Sequence, residues 1–176
     1  RAEAWSGQLG PLAEHYEVIA PDMAGHGESA LLSGEATLTR YSDLVAEAMT
    51  GEALVVGHSM GAMIALDLAA RYPQKVRGVV ALNAIFERSP EAARAVRERA
   101  AGLSETGVGD PTPTLSRWFD DLHSPEALAC RDWLLGATPK GYKAAYSVFA
   151  HCDGPSRSAL AALDIPALFM TGGLEP

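Results

Sequence analysis

The chain has little cysteine, a shortage of positive charge and no long apolar run. Each scarcity closes off a class of explanation. Its two cysteines, Cys130 and Cys152, stand far apart and fit no metal-ligand spacing. Free thiols in a reducing, cytoplasmic setting are therefore expected, rather than a structural disulfide. Lysine and arginine number 14 against 22 acidic residues, for a formal net charge of −8. That balance argues against nucleic acid or an anionic membrane surface as a partner. No apolar stretch approaches the roughly 20 residues of a membrane-spanning helix. No internal repeat, low-complexity tract or ligand cluster for a metal or organic cofactor stands out.

What is present is an ordinary globular composition. Over 176 residues, 48% are apolar and 20% charged. A chain of this length can bury roughly 70% of its unfolded surface around one core. Residues 2–12 carry Trp5, Leu9 and Leu12 at helical spacing. Residues 16–20 read as a buried strand closed by Pro21, and 22–33 as a glycine-rich loop. Residues 38–49 read as a one-faced helix, 53–56 as a strand and 62–72 as a helix ended at Tyr72-Pro73. A third apolar, β-branched strand is predicted over 76–82. Apolar strands alternating with helices imply an α/β fold, a mainly parallel sheet with helices on both faces.

After Phe86 the alternation stops. Helices are predicted over 91–103, 115–122, 126–135, 141–150 and 156–163, and a buried strand returns over 165–170. A helical block between two sheet strands reads as a lid, so residues 1–87 and 164–176 are expected to form the core and 88–163 the lid. Residues 102–113, rich in Gly, Pro and Thr, read as the most mobile linker.

The most specific motif is Gly57-His58-Ser59-Met60-Gly61, set between the 53–56 strand and the 62–72 helix. Strand, G-x-S-x-G and helix together describe a nucleophile elbow. The turn is tight enough that positions two before and two after the serine need little or no Cβ, a requirement Gly57 and Gly61 both meet. The strain exposes the Ser59 hydroxyl and aims the Met60 N–H at the place where an oxyanion would form. The plainer alternative is a serine that caps the following helix. His58 is a poor base for its neighbour, because adjacent side chains diverge across so sharp a turn; packing or hydrogen bonding beside the elbow suits it better.

Two further constellations surround this motif. Asp22-Met23-Ala24-Gly25-His26-Gly27-Glu28-Ser29 leaves a predicted strand through two glycines. It is either a plain loop or one wall of a pocket, with His26 holding the loop by hydrogen bonds. After the last predicted strand, Thr171-Gly172-Gly173-Leu174-Glu175-Pro176 brings a carboxylate to the rim that carries Ser59. Glu175 could orient a histidine there, or be a solvated loop residue.

Together these residues resemble the α/β-hydrolase fold enzymes: the D-x-x-G-x-G-x-S loop, the 57–61 elbow and the strand followed by a glycine and an acid. Residues 115–119 and 141–153 are similar to the lid of 3-oxoadipate enol-lactonases and related esterases. The resemblance implies hydrolysis of a small carboxylic ester or lactone, with Ser59 as nucleophile, Glu175 as triad acid and the Met60 N–H as an oxyanion donor. Family members usually carry aspartate at the acid position; glutamate is also an acceptor-only carboxylate when ionised. No metal or organic cofactor is implied. Trp118 and Tyr142 of the lid, with His58, are candidate substrate contacts, although most lid aromatics also suit a plain lid core. The same constellation serves C–C or amide hydrolysis, acyl transfer or perhydrolysis, and a non-catalytic binding protein could keep the fold.

The family order is nucleophile, acid, histidine. His15, His26, His58, His123 and His151 all precede Glu175, so the expected base has no counterpart in these 176 residues. The strands and the glycine-containing oxyanion loop expected before residue 1 have none either. Both ends therefore read as cut. The 176 residues alone are expected to be close to inert toward p-nitrophenyl acetate. A Ser59-dependent burst at ordinary esterase rates would contradict that expectation.

Overall fold

The computed structural model describes residues 1–104 and 109–173. A 3₁₀ turn, Ala2–Trp5, leads into α1 (Ser6–Ala13). There follow α2 (Leu38–Ala48), β1 (Ala53–His58), α3 (Met60–Arg71), β2 (Val76–Leu82), α4 (Pro90–Ala101), α5 (Thr112–Trp118), α6 (Pro125–Leu135), α7 (Pro139–His151), α8 (Arg157–Ala161) and β3 (Ala167–Met170). The chain divides into two compact units. Residues 1–33 and 102–145 form the first; residues 34–101 and 146–176 form the second; one of the divisions falls within α7. All described elements between β2 and β3 are helices, and they are shared between the two units.

The second unit holds the sheet. Its strands are parallel, in the order β1-β2-β3. The register pairs His58 with Leu82 and Leu82 with Met170, so the three strands end side by side. Whatever follows each strand therefore emerges on one rim.

Helix α3 packs against β1 and β2. It is buried on most of its circumference: Ala62, Met63, Ile64, Ala65, Leu66, Leu68 and Ala69 are all buried. Four of these are large and three are alanines, so the helix both fills the core and approaches the sheet closely. Val76, Val79 and Ala81 of β2 complete that cluster. Helix α2 is held against α3 by a polar seam as well as by Ala46. The fully buried Ser42 hydroxyl donates to Asp67. Arg71 bridges Asp43, Asp67 and the Thr39 carbonyl, and the Tyr72 hydroxyl donates to Asp43 at 2.8 Å. A buried hydroxyl left unpaired would be costly, and here it is satisfied.

Helix starts follow their caps. Thr37, Ser124 and Ser156 each accept the N–H three residues on, which sets the first residues of α2, α6 and α8. Pro125 at the first position of α6 and Pro113 in the first turn of α5 lose no hydrogen bond there.

Two sequence expectations are corrected. Residues 16–20 are not a buried strand: they have no strand assignment, and Tyr16 and Ile19 are 59% and 67% exposed. An apolar run becomes a strand only by joining a ladder. This run belongs to the first unit, and every described strand belongs to the second. Residues 167–170 do form a strand, but an exposed one. Among the described residues β3 pairs with β2 alone, and Leu168, Phe169 and Met170 are each more than half exposed. The predicted 102–113 linker lies partly outside the described residues; its last two positions begin α5.

Candidate active site

Between the end of β1 and the start of α3 stands a single residue, Ser59. Its backbone has φ 53° and ψ −118°, a conformation a non-glycine residue adopts only at a cost on the order of 1–3 kcal/mol. The surrounding hydrogen bonds enforce it. The Ser59 N–H donates to the Leu82 carbonyl at 2.8 Å, which ties the residue to β2. Its carbonyl accepts from the Ala62 and Met63 N–H groups at 2.9 and 3.2 Å, which ties it into α3. One residue thus ends a strand ladder and begins a helix.

The other capped helices of this chain provide an internal control. Thr37, Ser124 and Ser156 sit in the extended region, with φ between −136° and −60°, and their side-chain oxygens cap the helix. Ser59 occupies the same position before α3 and makes no such bond. Its hydroxyl is released from capping, and the Met60 N–H has no backbone acceptor among the described residues. A hydroxyl free to react and an N–H free to receive a developing oxyanion are what acyl transfer needs at one point.

The two elbow glycines are not equivalent. A Cβ on Gly57 would lie 2.1 Å from the Gly61 oxygen and 2.4 Å from its carbonyl carbon. Among the described residues, a Cβ on Gly61 would meet nothing within 4 Å beyond its neighbours and its own helix backbone. The expectation that both flanks exclude a side chain is therefore corrected. The crossing is one-sided: the α3 backbone passes over Gly57, while the side-chain direction of Gly61 opens outward.

His58 is exposed, and its Nε2 accepts from Asn83 Nδ2 at 3.5 Å. No hydrogen bond joins any histidine to the Ser59 hydroxyl among the described residues. Glu175 lies outside the described residues. Asn83, which sequence reasoning missed, follows β2 directly and has φ 48°. Its N–H donates to the Met170 carbonyl at 2.8 Å, and its Oδ1 accepts from the Gly172 N–H at 3.3 Å. An asparagine just beyond an apolar strand was the available signal, because asparagine tolerates the left-handed region.

In the first unit the 22–29 loop is organised by Asp22. Its carboxylate accepts the N–H groups of Ala2 and Glu28 at 2.8 and 3.2 Å, and its carbonyl accepts from the Ser29 hydroxyl at 2.9 Å. Desolvation works against ionisation there. The two N–H groups and the positive charge at Arg1 outweigh it, holding the carboxyl below the ordinary range. Gly27, at φ 55°, cannot be replaced without collision: a Cβ would lie 1.9 Å from Asp22 Oδ2. The His26 Nδ1–H donates to the Ala24 carbonyl at 3.2 Å. Burial pushes its pKa down against that bond, so the ring is neutral at pH 7, with Nε2 an acceptor. The Thr138 hydroxyl donates to the Gly25 carbonyl at 2.6 Å, clamping the loop to the start of α7.

Trp118 and Tyr142 line one cleft of about 150 Å³ in this unit, together with His26, Cys130 and Trp133. The His26 and Tyr142 rings are 6.5 Å apart. Burial raises the Cys130 pKa, so that thiol stays protonated. A larger apolar cavity of the second unit, about 250 Å³, is lined by Leu66, Phe86, Leu160 and Phe169 among others, and Ser59 is not part of its wall. Among the described residues no group of three or more His, Cys, Asp or Glu side chains is placed to hold a metal ion, and no helix is long and apolar enough to cross a membrane.

Comparison with known proteins adds family context. A model of the α/β hydrolase fold family matches residues 2–122. The chain is 32% identical over 182 aligned residues to the (E)-2-((N-methylformamido)methylene)succinate hydrolase of Acinetobacter baylyi, covering all of this chain and 69% of that protein. The enol-lactonase from Burkholderia xenovorans superposes with a TM-score of 0.82 at 26% identity, over 98% of this chain and 68% of its own. A thermophilic esterase from Thermogutta terrifontis superposes with a TM-score of 0.80 at 28% identity, over 97% of this chain and 66% of its own. The chain thus spans about two thirds of the length of each.

The asymmetry of the elbow can be tested by substitution. Gly57→Ala is expected to lower stability in urea unfolding by about 3 kcal/mol or more, because the collision is with backbone. Gly61→Ala is expected to change it by less than about 1 kcal/mol. Equal losses in the two variants would contradict the geometry.

Proposed function

Since the chain belongs to the α/β hydrolase fold family and is a hydrolase of that fold, we propose that it serves a serine hydrolase acting on small carboxylic esters or lactones. One observation carries this reading: Ser59 holds a strained left-handed backbone at a helix start and does not cap the helix. Strain with no capping return is expected where a hydroxyl must be presented for chemistry.

In this mechanism the Ser59 oxygen attacks the substrate carbonyl while a histidine takes its proton. That histidine follows Glu175 in the family order, and the Glu175 carboxylate orients it. The negative charge developing on the carbonyl oxygen accepts the Met60 N–H. The histidine then protonates the leaving alcohol oxygen, and an acyl-serine remains. Water, deprotonated by the same histidine, attacks the acyl carbon and releases the carboxylic acid and Ser59. No metal or cofactor takes part.

A second reading has support from one comparison. The Acinetobacter relative is named for an amide-bearing, formamido-substituted methylenesuccinate. The same steps with a nitrogen leaving group would hydrolyse such a compound.

The two readings separate on a substrate panel, run on the protein at its full natural length. Matched esters, lactones and N-acyl compounds are offered to wild type and to Ser59→Ala. The expected result is ester or lactone turnover that falls by about four orders of magnitude in Ser59→Ala, with unchanged circular dichroism. Turnover of the N-acyl compounds alone would favour the second reading. Undiminished turnover in Ser59→Ala, or a folded protein that binds but turns over none of them, would contradict both.

A further inference from the structure

The first unit holds a cleft that the steps proposed at Ser59 leave unused. It measures about 150 Å³, and its wall is drawn from helices and a loop of that unit. Cys130, Trp133 and Leu134 are spaced i, i+3 and i+4 on α6, so one helix face supplies three of the side chains. Trp118 ends α5, and Tyr142 lies in the first turn of α7. Trp118 is 57% exposed, and an indole open on a cleft wall is apolar surface for a ligand to cover. His26 adds a hydrogen-bond acceptor. Its Nδ1–H is committed to the Ala24 carbonyl at 3.2 Å, while Nε2 has no partner among the described residues and is not sealed from solvent. The loop that carries it is held in place. The Thr138 hydroxyl donates to the Gly25 carbonyl at 2.6 Å, and Gly25 and Gly141 meet backbone to backbone.

We propose that this cleft binds one uncharged, single-ring aromatic molecule that bears a hydroxyl, a phenol, with that hydroxyl donating to His26 Nε2. The proposal goes beyond the hydrolysis proposed for Ser59 and does not depend on it. Size sets the single ring: an apolar cavity of about 150 Å³ holds one benzene-sized molecule. The aromatic wall favours a planar ring, which can stack or meet it edge to face. Charge excludes an ion. His26 is neutral at pH 7 because burial lowers its pKa, and the Cys130 thiol stays protonated because burial raises its own. Arg1 reaches the cleft, but its guanidinium is taken by the two Glu3 carboxylate oxygens at 2.8 and 3.0 Å. The lining residues therefore offer no unbalanced charge. The acceptor sets the hydroxyl. Toluene fills the same volume but would displace water from Nε2 without replacing its hydrogen bond. Because the loop is already fixed, little ordering opposes binding.

Isothermal titration calorimetry at pH 7 tests this in the protein at its full natural length, with phenol, toluene and benzoate as probes. Phenol is expected to bind one saturable site with a Kd of about 1 mM or tighter. Cys130→Phe, which fills the cleft, is expected to weaken phenol binding by at least about tenfold. His26→Phe is expected to weaken phenol by about three- to tenfold while toluene changes by less than about threefold. The absence of a saturable phenol site in wild type would overturn the proposal. So would unchanged phenol binding in Cys130→Phe, which would put the ligand elsewhere, or unchanged phenol binding in His26→Phe. Benzoate binding more tightly than phenol would overturn the uncharged class. Should Cys130→Phe fail to fold, Ala137→Phe fills the same cleft, and unchanged binding there would overturn the proposal. None of the probes is an ester, a lactone or an N-acyl compound, so the result stands apart from whether Ser59→Ala abolishes turnover.

Discussion

Where β1 turns into α3, the Gly61 carbonyl occupies the place where a side chain on Gly57 would begin. That backbone crossing fixes the rest of the site. With the crossing this close, only one residue can stand between strand and helix, and it must turn through the left-handed region. Ser59 is that residue. The β2 carbonyl of Leu82 holds its N–H, and the first turn of α3 holds its carbonyl. Removing the approach at Gly57 would let the turn relax toward an ordinary helix cap. The hydroxyl would then do what Thr37, Ser124 and Ser156 do, and bond to its own helix. The strain is affordable because α3 is anchored along its length by a nearly all-buried surface and by the Ser42–Asp67–Arg71 seam to α2.

The first unit uses the same device at a second place. Gly25 and Gly141 approach so closely that a Cβ on Gly141 would lie 2.2 Å from the Gly25 oxygen, and Thr138 adds a hydrogen bond to that carbonyl. Gly27 makes room for the Asp22 carboxylate, which gathers the loop's N–H groups. The result is a loop rigid enough to present His26, neutral and half-buried, to the cleft that Trp118 and Tyr142 line. Both the turn at Ser59 and the 22–29 loop are thus built from glycine-permitted backbone contacts.

Much of this was legible in the sequence, for identifiable reasons. The strand–glycine–serine–glycine–helix order marks the elbow because each part is a local constraint. Helices α2, α3, α6 and α7 follow from apolar spacing, and their ends shifted by a residue or two where Ser or Pro caps set the start. Residues 16–20 misled because strand formation depends on a partner that periodicity does not report. The exposure of β3 misled for the same reason. Gly61 looked obligatory because motif spacing records which residues recur, while the direction of a Cβ is set only by the folded crossing. Asn83 gave only the signal of an asparagine after an apolar strand; its contacts with His58 and Gly172 come from the parallel register, which brings His58, Leu82 and Met170 abreast.

The central claim is that the backbone at Ser59 is held under strain so that its hydroxyl serves chemistry and not the helix. Urea unfolding of Ser59→Gly tests it most directly. Glycine accepts φ 53° without penalty, so the variant is expected to be more stable than wild type by about 1 kcal/mol while losing all turnover. A variant less stable than wild type by a similar amount would show that Ser59 caps α3 and supports the fold, and would contradict the account.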